Sequence, residues 1–403
     1  MKKICSRSVS LVSGFIMMLC YGLLYAWSIY SSPLSQEFGW SSARLGLCFT
    51  LIMIAFCLGG ILGSLLTKRF GCGRAILTGA VMSLAGYVCS SFLSAGTLWL
   101  LYASFFVSGL GCGIVYNATV SAVVMRFPDK KGFASGILLM GFGASTLVFG
   151  SIASGLMALP AAGWRTVFRG TGVLLFAAGL LGRRFIVSDP PEKTAVGSCC
   201  AASLTPAQMM STADFWLFFA SASILSFFGQ GIIGHAKSIA IEGGVPAALT
   251  SLTVGLTSVA NGLGRIFFGT LHDKKGYRFT LTLDALVLII AGLIAFFFLP
   301  KNAPAVIITA LMLCGLGYGA VPPIASSVTQ EFFGPEHYAQ NFSLTNLNII
   351  IASFASTIMG NIQTSTGSYS TALLAFALLE IVPIVLLTVL SHIRNKKYVN
   401  KKG

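Results

Sequence analysis

The sequence contains few charged residues. Only 9% of its 403 residues are Asp, Glu, Lys or Arg, whereas 55% are hydrophobic, and the mean hydropathy is +0.85. A soluble globular protein carries roughly a quarter of charged residues, so this chain cannot build a surface that faces water on all sides. The composition therefore excludes a soluble enzyme and predicts a protein that lies largely within lipid.

Residues that could form a catalytic or metal site are also scarce. The chain has four His and ten Cys, and the cysteines are scattered, mostly inside apolar runs, without the spacing of a metal site. We interpret them as small hydrophobic packing residues. The sequence shows no pattern of a catalytic nucleophile paired with a general base and no cluster of metal ligands. It therefore predicts neither an enzyme nor a bound cofactor or metal.

Twelve apolar runs are long enough to cross a bilayer. A helix rises about 1.5 Å per residue, so hydrocarbon about 30 Å thick requires about 20 residues. Helices are expected because unpaired backbone groups cannot be left in lipid. The predicted spans are residues 9–31, 45–67, 75–94, 97–123, 133–157, 166–187, 214–240, 248–270, 279–299, 304–330, 341–363 and 369–391.

The net charge of +15 is explained by membrane topology. Nucleic-acid binding would need a clustered basic surface on a soluble module, and none is present. Most of the Lys and Arg residues lie in alternate loops and at both ends of the chain, and cytoplasmic loops are rich in these residues. The sequence predicts a multi-pass protein of the plasma (inner) membrane with both termini in the cytoplasm.

The spans are predicted to form two pseudo-symmetric six-helix halves. Residues 1–187 form the N-terminal half, 188–213 a polar cytoplasmic linker, 214–391 the C-terminal half and 392–403 a basic cytoplasmic tail. When the sequence is aligned with itself so that Phe133 falls on Tyr338, the loop after the second span also falls on the loop after the eighth. Paired halves of this kind are the architecture of secondary transporters, which bind their substrate where the halves meet.

Arg265 falls within the eighth predicted span. An arginine at mid-span costs about 2.5 to 3.5 kcal/mol on insertion scales. The guanidinium offers two parallel donors that match a carboxylate, so we expect a small organic anion as its partner. An internal ion pair with Glu380 or Asp284 is the alternative. In the same self-alignment Gly60 stands at the position of Arg265. A purely architectural residue would be expected in both halves, so this difference argues against such a role for Arg265.

Polar and aromatic residues of other spans are candidates to complete a substrate site. Tyr21 and Tyr25 are four residues apart, so we expect them on one helical face, where their hydroxyls could contact a small anion and their rings could close off its apolar side. The further candidates are Tyr116, Asn117, Gln230, Asn261 and Tyr318.

Two loops resemble a signature of the major facilitator superfamily. The signature is a glycine, an acid four residues later, then basic residues and a second glycine. The loop after the eighth span fits well, whereas the loop after the second span has Ser64 for the glycine and Lys68 for the acid. The resemblance implies the family's twelve-helix fold, function as a monomer, and gating loops that contain Arg69, Gly71, Arg74, Gly269, Asp273 and Gly276.

Within the superfamily, the segments Tyr25–Tyr30 and Asn261–Arg265 resemble the oxalate/formate antiporter family. This likeness implies alternating access with exchange of small carboxylates. The family's dicarboxylate exchanger has a lysine in the eleventh span, whereas residues 341–363 contain no Lys or Arg. We therefore expect a monocarboxylate such as formate, lactate or pyruvate.

Two other kinds of transport stay open. A proton-coupled monocarboxylate symporter would need a titrating group, for which Glu380, Asp284 and His235 are the candidates. An exporter of drug-like solutes is less favoured, because such carriers usually place acids in the cavity.

Overall fold

The computed structural model describes residues 6–40, 42–157, 163–186 and 203–399, and this part of the chain contains helices and no strand. It groups into two compact units. Unit 1 comprises the described parts of Met1–Pro128, Ile137–Gly197 and Phe342–Leu344. Unit 2 comprises the described parts of Asp129–Gly136, Ser198–Asn341 and Thr345–Gly403.

The first eight helices belong mainly to unit 1. In chain order they are α1 (Arg7–Tyr21), α2 (Trp27–Phe38), α3 (Ser42–Phe70), α4 (Cys72–Ser90), α5 (Leu98–Val124), α6 (Lys131–Ser145), α7 (Ser151–Met157) and α8 (Gly163–Gly182). A 3₁₀ turn, Gly22–Ala26, joins α1 to α2, and a π turn, Thr146–Gly150, joins α6 to α7.

Glycines allow the helices of unit 1 to pack closely. A Cβ atom at Gly113 of α5 would lie 2.0 Å from the Phe56 carbonyl oxygen, and one at Gly59 of α3 would lie 2.2 Å from the Leu110 oxygen. Apolar side chains gain little by leaving lipid, so close contact between backbones takes over much of the stabilisation of packed membrane helices. The glycines of α3 and α5 thus fix the core of this unit.

The remaining helices form unit 2, apart from residues Phe342–Leu344, and this unit also includes the first residues of α6. They are α9 (Pro206–Met210), α10 (Ala213–Glu242), α11 (Ala247–Phe298), α12 (Pro304–Tyr318), α13 (Val321–Phe333), α14 (Tyr338–Thr345), α15 (Asn348–Thr366), α16 (Ser370–Leu379) and α17 (Ile381–Val399).

The structure confirms an all-helical, twelve-span membrane fold. Ten helical stretches among the described residues are long and apolar enough to cross a membrane. One of them, Ala248–Lys301, has 54 residues and would be about 80 Å long as a single helix, more than twice the hydrocarbon thickness. It is divided at Gly276, where φ is +77°, and so supplies two spans. The helix α8 has 20 residues and lies at the sixth predicted span.

The predicted linker and tail are described only in part. Residues 187–202 and 400–403 lie outside the described residues, so the boundaries of the linker 188–213 and of the tail 392–403 stay predictions. The described end of the linker contains α9, which begins with a capping box formed by Thr205 and Gln208. Each of these side chains binds the other's backbone N–H, which fixes the start of this short helix.

Candidate functional site

Arg265 lies in the first part of α11 and is almost completely buried, with 5% of its surface exposed. Its Nε atom donates a hydrogen bond of 3.5 Å to Oδ1 of Asn261, one helical turn earlier. Two of the predicted substrate residues are therefore in contact. The amide restrains the guanidinium on one face of α11.

Tyr318 completes a cluster with Arg265 and Asn261 that we call the arginine cluster. It is the last residue of α12, it is 9% exposed, and it interacts electrostatically with Arg265. The two helices meet through Gly319, where a Cβ atom would lie 2.5 Å from the Asn261 carbonyl oxygen and 2.8 Å from the Arg265 nitrogen. A larger residue at position 319 would push Tyr318 and Arg265 apart.

Gln230 lies on α10 next to the tyrosine of this cluster. A Cβ atom at Gly229 would lie 2.2 Å from Cδ2 of Tyr318, so the glycine is required for α10 to accept the ring. Gln230 follows it directly in the chain and is half-buried. The structure thus brings Arg265, Asn261 and Tyr318 together in unit 2, and the neighbour of Gln230 in the chain contacts Tyr318.

Asp284 and Glu380 are both fully buried, at 0% exposure. None of their four carboxylate oxygens has a hydrogen-bond partner among the described residues. The described residues thus show no hydrogen bond between Arg265 and either acid, which is the contact that the alternative of an internal ion pair would favour. Asp284 lies instead against the backbone of α12, where a Cβ atom at Gly317 would be 2.9 Å from its Oδ1 atom. Glu380 lies in the break between α16 and α17 and interacts electrostatically with Asp284.

His235 of α10 is held at both ring nitrogens. Nε2 lies 2.8 Å from the Ser356 carbonyl oxygen, and Nδ1 lies 2.9 Å from the Tyr369 hydroxyl. Because a carbonyl only accepts, Nε2 carries a hydrogen, and a neutral ring accepts from Tyr369 at Nδ1. His235 thus links α10 to α15 and to the segment before α16.

The predicted gating loop of unit 2 contains a carboxylate that caps a helix. The backbone N–H groups of Gly132 and Phe133, at the start of α6, donate to the two carboxylate oxygens of Asp273 at 2.8 Å each. The first N–H groups of a helix have no partner within it, and its N-terminus favours negative charge. Gly269 allows this approach, since a Cβ atom there would lie 2.3 Å from the Gly132 carbonyl oxygen.

The corresponding loop of unit 1 has the same backbone but no acid at the matching position. Gly71 has φ +86° and precedes α4 without a side-chain cap. Arg69 is exposed with its guanidinium 5.2 Å from the Phe70 ring centroid, and Arg74 is exposed as well. The predicted residues Arg69, Gly71 and Arg74 thus form a basic turn.

Aromatic rings surround two of the predicted residues in unit 1. Tyr116 stacks on Phe342 with ring centroids 6.2 Å apart and meets the edges of Phe56 and Phe142. Tyr25 contacts Phe142 at 5.5 Å in an edge-to-face arrangement. These are geometries that aromatic pairs favour, so the cluster presents rigid apolar walls.

Asn117 and Gly60 lie near each other in unit 1. Asn117 is fully buried, and a Cβ atom at Gly60 would lie 4.0 Å from the Asn117 Cβ and 3.7 Å from that of Ser343. The residue that aligns with Arg265 thus lies beside two polar residues of unit 1.

Tyr21 and Tyr25 do not share a helical face, contrary to the prediction. The α-helix ends at Tyr21 and continues as a 3₁₀ turn, which rotates about 120° per residue instead of 100° and so changes the angle between the two side chains. Tyr21 is fully buried, and its hydroxyl donates to the Leu175 carbonyl at 2.8 Å. We therefore leave it out of the proposed substrate contacts.

Comparison with known proteins agrees with this architecture. The model of the family described as "Major Facilitator Superfamily" matches residues 10–357. The chain belongs to the major facilitator superfamily. It is therefore a multi-pass membrane transporter and not an enzyme.

Two curated relatives and one solved structure illustrate the likeness of this superfamily member. The oxalate:formate antiporter of Oxalobacter formigenes is 23% identical, over 93% of this chain and 88% of that protein. Monocarboxylate transporter 13 of Bos taurus is also 23% identical, over 90% of this chain and 84% of that protein. The fucose:proton symporter FucP of Escherichia coli superposes with a TM-score of 0.73 at 16% identity, covering 97% of this chain and 99% of that one, which supports the fold alone.

Sequence analysis missed two polar contacts in unit 2. Asn348, at the start of α15, donates from Nδ2 to Ser226 Oγ at 3.5 Å, and its buried Oδ1 has no hydrogen-bond partner within the described chain. His272 lies 3.1 Å from a Glu331 carboxylate oxygen. Ser226 is one turn before Gln230 on α10, so helical spacing from Gln230 could have indicated it.

Proposed function

We propose that the protein is a secondary transporter of a small organic anion, a monocarboxylate such as formate, lactate or pyruvate, and that it works by alternating access with anion exchange. The observation that carries the proposal is the burial of Arg265 in a membrane-spanning helix beside Asn261 and Tyr318. A guanidinium at this depth is costly and usually serves function. Its fork matches a carboxylate in geometry and in charge.

The charge of Arg265 also favours exchange over uniport. A bound monocarboxylate would place a negative charge beside the guanidinium and so stabilise it in the low-dielectric occluded state. Neither Asp284 nor Glu380 accepts a hydrogen bond from the described residues, so no such bond ties either acid to Arg265. The carrier should therefore return faster with an anion than without one.

The same charge balance favours a monoanion over a dianion. Residues 341–363 contain neither Lys nor Arg, so the eleventh span offers no second cation to a second carboxylate. The relatives described above include both an oxalate:formate antiporter and a monocarboxylate transporter. The substrates in these names support a small carboxylate as the substrate class. The number of buried cations favours a monocarboxylate over a dicarboxylate within that class.

The proposed orientation places both termini in the cytoplasm of the plasma (inner) membrane, with the carrier acting as a monomer. Most Lys and Arg residues lie in the loops that are on the same side of the membrane as both ends of the chain. Cytoplasmic loops are rich in these residues, so this side is the cytoplasmic one in the proposal. In this orientation Asp273 and the turn at Gly71 lie on the cytoplasmic side.

Counterflow in proteoliposomes tests the proposal. Purified protein is reconstituted with unlabelled formate, lactate, pyruvate or oxalate inside, and uptake of labelled formate is followed. We expect internal monocarboxylates to stimulate uptake several-fold over empty vesicles, with oxalate clearly weaker. Preference for oxalate, or equal uptake into empty vesicles, would contradict the proposal.

Proton-coupled monocarboxylate symport is the second candidate. The buried carboxyl groups of Asp284 and Glu380, which have no hydrogen-bond partner within the described chain, favour it because such groups could carry a proton. His235 is a third candidate. Accumulation of substrate on an imposed pH gradient, without internal anion and abolished by Asp284→Asn or Glu380→Gln, would establish symport. Under exchange we expect both variants to keep counterflow within about threefold of the unmodified protein, since each amide is nearly isosteric with a neutral carboxyl group.

A further inference from the structure

The described end of the linker is bound to the loop between α13 and α14. The backbone N–H of Leu204 donates to the Phe333 carbonyl at 2.9 Å. The Leu204 carbonyl accepts from Nδ2 of Asn341 at 3.0 Å. One linker residue thus binds both the last residue of α13 and the first turn of α14.

Two neighbouring contacts extend this connection. The Glu336 backbone N–H donates to Ser203 Oγ at 3.4 Å. Gly334 has φ +81°, and a Cβ atom there would lie 2.7 Å from the Ser203 Cα atom. Only a glycine accommodates both this backbone conformation and this approach. The linker and the loop therefore fit each other along Ser203 and Leu204.

Asn341 is the central side chain of the connection. It is 0% exposed, and a carbonyl oxygen cannot pair with the amide oxygen, so the bond to Leu204 fixes which way the amide points. The Oδ1 atom of this amide has no hydrogen-bond partner among the described residues, whereas Nδ2 donates to Leu204. Because burying an N–H donor without an acceptor is unfavourable, moving Leu204 away would leave the Nδ2 group of Asn341 without this acceptor.

The segment that this contact holds is a separate rigid element. Tyr338 binds Ser326 at 2.6 Å and Thr345 binds Thr329 at 3.1 Å, so α14 is tied to α13 at both of its ends. A two-residue turn then separates α14 from α15. Movement of the linker would therefore be transmitted to this first segment of the eleventh span as a unit.

We propose that Ser203 and Leu204 form a strap that positions α14, and that Asn341 is the positioning residue through which the linker sets the rate of the transport cycle. The pseudo-symmetric counterpart of α14 is α6, whose first N–H groups are bound by Asp273. The residue that aligns with Asp273 is Lys68, and an ammonium group has no acceptor to offer an N–H. The linker strap supplies at α14 the anchoring that a carboxylate supplies at α6.

Hydrogen exchange of the intact protein tests the contact, whatever the substrate is. In Asn341→Leu, which removes the donor at similar volume, we expect the amides of Leu204 and of residues 334–340 to exchange at least about tenfold faster, while those of α17 stay unchanged. Asn361→Leu is the matched control, because Asn361 is an exposed asparagine of the same span. Unchanged exchange at residues 334–340 in Asn341→Leu would overturn the strap.

Counterflow kinetics test the positioning role. We expect Asn341→Leu to lower the maximal exchange rate about fivefold with less than a twofold change in KM, and Asn341→Gln to recover part of the rate. Ser203→Ala, at a half-buried site, should lower the maximal transport rate about twofold and increase the rate of amide hydrogen exchange at Glu336. Equal rates per folded molecule in all variants would overturn the proposal, as would a loss confined to KM. Failure of carboxylate transport in the unmodified protein would count against the proposed substrate only. The amide hydrogen-exchange experiment would still test the strap.

Discussion

The turn after α3 and the turn that divides α11 have nearly the same backbone but different charges. Gly71 and Gly276 have φ values of +86° and +77°, and each precedes the next span. In the second turn Asp273 binds two N–H groups of α6, whereas Lys68 stands at the aligned position of the first. The comparison teaches that the internal repeat specifies the backbone geometry of the two turns, while only the turn of unit 2 has an acid that binds the N-terminus of a helix.

The same difference recurs within the spans. Arg265 is buried in α11, and its counterpart Gly60 lies beside Asn117 and Ser343 in unit 1. Unit 1 contributes rings, such as Tyr116 against Phe56 and Phe142. If the protein carries an anion as proposed, the charge that attracts it lies in unit 2.

Replacing Arg265 should have the largest effect. Two hydrogen bonds to a charged group contribute about 1.5 to 3 kcal/mol each, so Arg265→Ala should lower carboxylate counterflow by at least about 100-fold. Arg265→Lys keeps the charge but loses the fork, and we expect a loss of about tenfold. Arg169→Ala is the control, because this arginine binds Ser91 in unit 1. Counterflow retained by Arg265→Ala would end the assignment of the site to unit 2.

Replacing the acid of the second turn should have the next largest effect. Asp273→Asn keeps the shape but loses the charge that binds the N-terminus of α6, so we expect the exchange rate to fall about tenfold. Lys68→Met, at the aligned position, should stay within about twofold. Both rates are measured by counterflow at equal amounts of folded protein. Similar losses in the two variants would show that the turns are functionally equivalent, against the comparison.

The smallest effect concerns the pH dependence of unit 1. A hydrogen bond from the Trp164 indole is the largest effect that lowers the pKa of Glu37 below its ordinary value of 4.5. Burial opposes it, and the hydrogen bond and charge of Arg165 lower the pKa further. A carboxyl whose pKa is lowered by folding stabilises the protein above its unfolded pKa, and the contribution is lost as the pH falls through the folded value.

Because the Arg165–Glu37 pair is exposed by about two-fifths on each side, its contribution is small. We expect Glu37→Gln to lower the melting temperature by about 1 to 2 °C at neutral pH, and we expect this difference to shrink as the pH falls below 4.5. A difference that does not shrink as the pH falls would assign the effect to packing instead of charge.

Much of the fold could be predicted from the sequence. Apolar runs of bilayer length fix the number of spans, and the shared shift of two loops indicated the repeat. Gly276 was assigned to a loop signature, and its positive φ is what divides α11 into two spans. The 3₁₀ turn Gly22–Ala26 was not predictable, because it depends on a tertiary contact in which a Cβ atom at Gly22 would lie 2.0 Å from the Phe142 carbonyl oxygen.

The candidate site was predictable in its charge but not in its contacts. Arg265 was identifiable because charge is rare in a membrane span, and Asn261 lies one helical turn away. The sequence could not show that Asp284 and Glu380 make no hydrogen bond with the described residues, since this depends on how α11, α12 and α16 pack. The contact between Leu204 and Asn341 was not predictable either, because it joins residues that are far apart in the chain.

Thermal stabilisation of the detergent-solubilised protein tests most directly whether Arg265 binds the substrate carboxylate. A ligand that binds only the folded state at 100 times its Kd stabilises that state by about 2.7 kcal/mol, and no flux is needed to detect it. We predict that formate, lactate or pyruvate raises the melting temperature of the unmodified protein more than oxalate does, and that Arg265→Ala abolishes the increase. An equal increase in Arg265→Ala, or a larger one with oxalate, would contradict the account.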